Sequence, residues 1–207
     1  MLTVSLQKNP MDRMSDQIER IPFYPNEIEI LRQSIDLSEE LISEYHKIST
    51  SQWKRYRYDI QSLKDLQESE VTDTAFAQIH RYLRCPHERL RGSEPGDFFK
   101  ICLQDHVIRR AVQRDSIIQL FPLSLYIVTH ELIHVIRFAQ FLQRFDSTQF
   151  EQEAEEVRVH SLTYQVLYGC RIPGLEEVLS AFRDCLTMET FSGSREKSEP
   201  YGLFSPA

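Results

Sequence analysis

The chain lacks several features that would each point to a class of protein. Its four cysteines (Cys85, Cys102, Cys170, Cys185) include no CxxC pair. They read as reduced cytosolic thiols, not as a disulfide framework or a zinc ribbon. Positive charge is not in excess: 24 Lys and Arg stand against 31 Asp and Glu, a net charge of -7. That balance excludes a phosphate backbone as the expected partner, so no nucleic acid is anticipated. The short basic clusters at Lys54–Arg57 and Arg109–Arg114 read as solvated faces. No apolar core follows the N-terminus as a secretory signal would require. The most apolar stretch, Ile117–Leu142, contains Pro122 together with His130, Glu131, His134 and Arg137, and those four are too many ionisable groups for a membrane span. No internal repeat or low-complexity tract is visible. The composition, 41% apolar and 27% charged over 207 residues, is that of one globular domain, with a cytoplasmic setting expected.

The patterning predicts a mainly helical chain. Residues 1–25 read as a flexible leader and 26–190 as a single domain, with 26–84 a helical N-terminal part and 97–190 the part bearing the chemistry. Residues 191–207 read as a loose tail. Ile28, Ile30, Leu31, Ile35, Leu37, Leu41 and Ile42 recur at helical spacing. Further helices are expected over Ser51–Gln67 and Thr72–Leu83, then a loop at Cys85–Gly96. Phe98–Leu103 and Ile117–Phe121 are β-like runs, one or both belonging to a small sheet. Pro122 suits the first turn of a helix running to about Leu142, apolar nearly all round and therefore central. Asp146 and Gln149 form a capping pair for another helix that ends at Gly169. A last helix is expected from about Leu175 to Leu186.

The central helix contains His130-Glu131-Leu132-Ile133-His134. Two histidines one turn apart leave the same face and can grip one metal ion, and the adjacent glutamate can hold a metal-bound water. A chain of this composition shows HExxH by chance roughly 2% of the time, so context has to carry the reading. Here the motif lies among aliphatic residues, where an unpartnered polar trio is costly. Zinc is the expected ion, with Glu131 as general base. A third ligand should come from the next helix. Phe150, Ala154, Val157, Ser161 and Tyr164 form one stripe and Val159, Leu162 and Val166 another, with Glu151 and Glu155 between them. Glu153, Glu156 and His160 then fall on the opposite side, expected to face solvent. Helical geometry leaves Glu151 and Glu155 both open as the ligand. Tyr126, Arg158, His160 and Tyr164 are near enough in sequence to serve as oxyanion donors.

His130-Glu-Leu-Ile-His134, then Glu151-x-x-Ala154-Glu155, then Gly169-Cys-Arg-Ile-Pro173 resembles the gluzincin pattern HExxH…ExxAD…GxxxP. That pattern occurs in HtpX-type and CAAX-prenyl-protease-type peptidases and in soluble minigluzincins; the ImmA/IrrE peptidases are similar. The likeness spans about Pro122 to Pro173. It implies a helical, zincin-like α+β domain with a small sheet beside the HExxH helix, whose edge strand could receive an extended peptide. It also implies zinc held by His130, His134 and Glu151, with Glu155 supporting a ligand and a peptide or protein as substrate. The chain departs from the pattern in carrying Glu155 where the family has Asp, so the two acidic roles could be exchanged. The rival from another class is a metal-binding regulatory or interaction protein without catalysis. A ferritin-like di-iron bundle fits poorly, because Glu-x-x-His appears on one helix only.

Overall fold

The structure is a computed structural model that describes residues 3–5 (backbone only), 19–82, 97–143 and 148–183. It is mainly helical, with six α-helices among the described residues and a small sheet packed against the helix that carries the motif.

That helix, α4 (Leu120–Ala139), organises everything else. Pro122 lies in its first turn, where no N–H is needed, and every residue from Pro122 to Ile136 is buried. A helix apolar all round needs neighbours on every side. Helix α1 (Pro25–His46) supplies the closest one. Ser34 and Ser38 are fully buried on it, and Thr129 Oγ1 donates to Ser38 Oγ at 3.0 Å. Small side chains at this seam let the two helices approach closely. Helix α5 (Gln149–Leu167) and the short α6 (Leu175–Ala181) cover the remaining flanks.

The sheet has four strands in the order β1-β3-β4-β2. The central pair, β3 (Ala75–Tyr82) and β4 (Phe98–Leu103), is antiparallel, with Ile79 opposite Ile101 and Arg81 opposite Phe99. Strand β1 (Thr3–Ser5), within the stretch anticipated as a leader, adds antiparallel to β3, and β2 (Tyr58–Gln61) adds parallel to β4. Phe99 stacks on Phe138 of α4, 5.6 Å between ring centres, which docks the sheet on the helix. Beyond β4, α3 (Asp105–Arg114) begins at a buried aspartate. The Asp105 carboxylate accepts from the backbone N–H of Phe23 (2.8 Å) and Leu63 (3.0 Å), tying both segments to this corner.

The anticipated helices α1, α4, α5 and α6 and the strand Phe98–Leu103 are present. Two other expectations are corrected. Residues 51–67 form the end of a one-turn helix, α2 (Thr50–Trp53), then β2 and one 3-10 turn (Leu63–Asp65). The alternation of Tyr56, Tyr58 and Ile60 in this stretch is a strand period that outweighs the helical reading. Residues 75–82 form β3 and not a helix. Ala75–Ile79 are all buried, and a continuously buried strand shows no alternation to distinguish it. The run Ile117–Phe121 enters α4 at Leu120 and adds no strand. The loop Cys85–Gly96 falls, but for Gly96's flank at Asp97, outside the described residues, as do Asp146, the end of the last helix and the tail. No helix among the described residues is long and apolar enough to cross a membrane.

Candidate metal centre

The HExxH segment lies in the most enclosed part of α4, and α5 runs antiparallel to it. This follows from the pairings: Tyr126 meets His160, His134 meets Glu156, and Arg137 meets Glu155. His130 and His134 are one turn apart, and their Nε2 atoms stand 3.1 Å from each other. The Glu156 carboxylate closes the group, with Oε2 3.4 Å from His130 Nε2 and Oε1 3.4 Å from His134 Nε2. His130, His134 and Glu156 are therefore a buried set that could hold a metal ion.

The spacing can be tested against a real ion. Four ligand atoms placed tetrahedrally at about 2.1 Å from zinc lie about 3.4 Å from one another. The Nε2–Nε2 separation of 3.1 Å and the two 3.4 Å contacts, each to a different oxygen of Glu156, are of that size. Two imidazole nitrogens with one carboxylate are also a donor set suited to zinc. Three protein ligands leave a fourth position for water or substrate. The residues fit the ion.

Burial sets the charges. His130 is pushed down to about 4, first by burial and then by the positive charge of His134. Burial also opposes charge on His134, but the Glu156 carboxylate, with help from Glu131 and Gln143, lifts it to about 9. Burial alone would raise Glu156; the two imidazoles outweigh it and hold the carboxyl well below the usual range. Glu131 is raised to about 8 by burial, with the Glu156 charge adding to the effect and His134 opposing it. Its Oε1 is buried with no hydrogen-bond partner among the described residues, as is His130 Nδ1.

Around this group the supports are uneven. His134 Nδ1 lies 3.1 Å from Gln143 Oε1, just past the end of α4. Tyr126 OH lies 2.7 Å from His160 Nδ1, and the His160 ring sits 4.4 Å from that of His130. Burial lowers the His160 pKa well below the usual imidazole value. Of the four residues considered as oxyanion donors, Tyr126 and His160 are buried beside the centre. Arg158 has a side chain 62% exposed and pairs with Glu155.

Two acidic residues occupy other places than anticipated. Glu151 is not beside the histidines: it completes a capping box at the start of α5, its Oε2 accepting from Thr148 N and Thr148 Oγ1, both at 2.8 Å. It lies five residues before Glu156, about 7.5 Å further along the helix axis. Glu155 meets no imidazole either. Its carboxylate is bound by Arg137 through Nε and Nη2, the latter at 3.1 Å. Glu156 and His160, expected to face solvent, are both buried.

A signal for them was present. The buried face of α5 is Glu155, Glu156, Val159, His160, Thr163, Val166 and Leu167, a helical stripe of regular spacing. Glu156 and His160 are four apart and so share a face, as His130 and His134 do. Apolarity misled because Phe150, at the start of this helix, is 70% exposed while the inner stripe carries charge. Comparison with protein-family models, with curated proteins and with solved structures gives no match, so the assignment rests on the site itself.

Proposed function

We propose that this chain is a zinc-dependent metallopeptidase of gluzincin type, in which His130, His134 and Glu156 hold the ion and Glu131 is the general base. The observation that carries the reading is the convergence of two imidazole nitrogens 3.1 Å apart, each 3.4 Å from one oxygen of the Glu156 carboxylate, beside a buried Glu131 oxygen with no hydrogen-bond partner among the described residues. A bound zinc ion would polarise a water and a substrate carbonyl and bring Glu131 into its ionised form. Glu131 then takes a proton from the attacking water and returns it to the leaving amine nitrogen. The Tyr126–His160 pair, in ring contact with His130, is the donor assigned to the developing oxyanion. An extended peptide would add to an edge strand of the sheet, where backbone groups can pair with it.

The enclosure of the centre favours one other reading. His130, Glu131 and His134 are at most 2% exposed, as in a closed metal site that has no catalytic role. One experiment separates the two. Purified wild-type protein is expected to hold one zinc per chain and to cleave an unstructured protein. Glu131→Gln should keep the zinc and lose cleavage by about two to four orders of magnitude. Full activity in that variant would remove Glu131 as base, and zinc without any cleavage by wild type would leave the closed site.

A further inference from the structure

We infer that Gln143 is a positioning residue of the metal centre, holding His134 in the form that presents Nε2 to the ion. The inference rests on the metal reading above. An imidazole binds a metal through an unprotonated nitrogen, so His134 must keep its ring proton on Nδ1 if Nε2 is to serve. Gln143 Oε1, 3.1 Å from Nδ1, is the acceptor that fixes the proton there. The acidic residue anticipated in such a role, Glu155, is engaged by Arg137 and does not reach a ring.

The backbone is shaped to deliver this contact. Helix α4 closes in a Schellman motif, with Leu142 N–H bonded to Arg137 O (2.9 Å) and Phe141 N–H to Phe138 O (3.0 Å). The residue that takes the left-handed conformation is Phe141, at φ 57°, where glycine is the usual choice. Its side chain is 89% exposed, so packing does not compensate for the strain. The reversal brings the next polar residue, Gln143, back onto its own helix nine positions earlier. There it is buried, and its Nε2 has no partner among the described residues. His130 has no equivalent, since its Nδ1 is without a partner among the described residues. One imidazole is therefore preset and the other is not.

The test is zinc affinity, measured by chelator competition on the full chain. Gln143→Met keeps the volume and removes the acceptor; Gln143→Glu keeps an acceptor. Gln143→Met is expected to weaken zinc binding by about 10–100-fold, and Gln143→Glu to bind at least as tightly as wild type. Wild-type affinity in Gln143→Met would overturn the inference, and so would equal weakening in both variants, which would mark a packing role. A wild-type protein that takes up no zinc would overturn the metal reading and this inference together.

Discussion

At the level of single residues, the position of a carboxylate along α5 decides its task. Glu151, in the first turn, satisfies backbone and side-chain donors of Thr148 that the helix itself cannot. Glu156, beyond it, points at two imidazoles. Glu151→Ala should cost about 1 kcal/mol of stability, the usual worth of a cap, and leave zinc content at the wild-type level. Glu156→Ala should abolish stoichiometric zinc. Elemental analysis of the two purified variants, with chemical denaturation of the first, checks both. Zinc lost from Glu151→Ala and kept in Glu156→Ala would restore the ligand set implied by the gluzincin pattern. The histidines and Glu131 were legible because HExxH is a local spacing on one helix. The third carboxylate was not, because it depends on how far α5 slides past α4, and Thr148 with Glu151 competes with Asp146 and Gln149 as the starting cap. Gln143 was hidden for another reason: its approach needs a left-handed residue where the sequence has phenylalanine.

At the level of elements, the α4–α5 pair combines a buried ion pair with the centre. Arg137 and Glu155 have side chains 12% and 8% exposed, and Arg137 binds the carboxylate with two nitrogens. Removing one partner strands the other charge in the interior. Glu155→Ala should therefore destabilise the fold by about 3–5 kcal/mol, read from denaturant midpoints. A loss near zero would mean that Arg137 finds solvent without it. Helix α1, with its apolar period, and α4, with its long apolar run, were legible, as was β4. Strands β2 and β3 were not. The alternation at β2 belongs to a strand of only four residues, and β3 is buried along most of its length and shows none.

For the whole molecule, acid stability has an identifiable source away from the metal centre. Lys100 Nζ binds both oxygens of Glu70, at 2.6 and 2.8 Å, and Tyr82 OH donates to Oε1 at 2.9 Å. Burial would raise the Glu70 pKa, but Lys100, the Gln67 backbone N–H and Tyr82 bring it down to about 2. A carboxylate with a depressed folded pKa adds stability that is complete above its unfolded value, 4.5, and lost as pH falls toward 2. The contribution is of order 3 kcal/mol. Denaturation of wild type and Glu70→Gln at pH values from about 6 down to about 2 should show the difference between them shrinking with acid. A constant difference across that range would mean that the Glu70 charge is not what the pair contributes.

The enclosure of His130, His134 and Glu156 on all sides also governs traffic. An ion or peptide is expected to reach those atoms only when the packing around them opens. Loading and release then proceed at the rate at which the helix pair breathes, whatever the strength of binding once inside. A chelator in excess would strip the centre at a speed set by the protein and indifferent to the chelator's concentration.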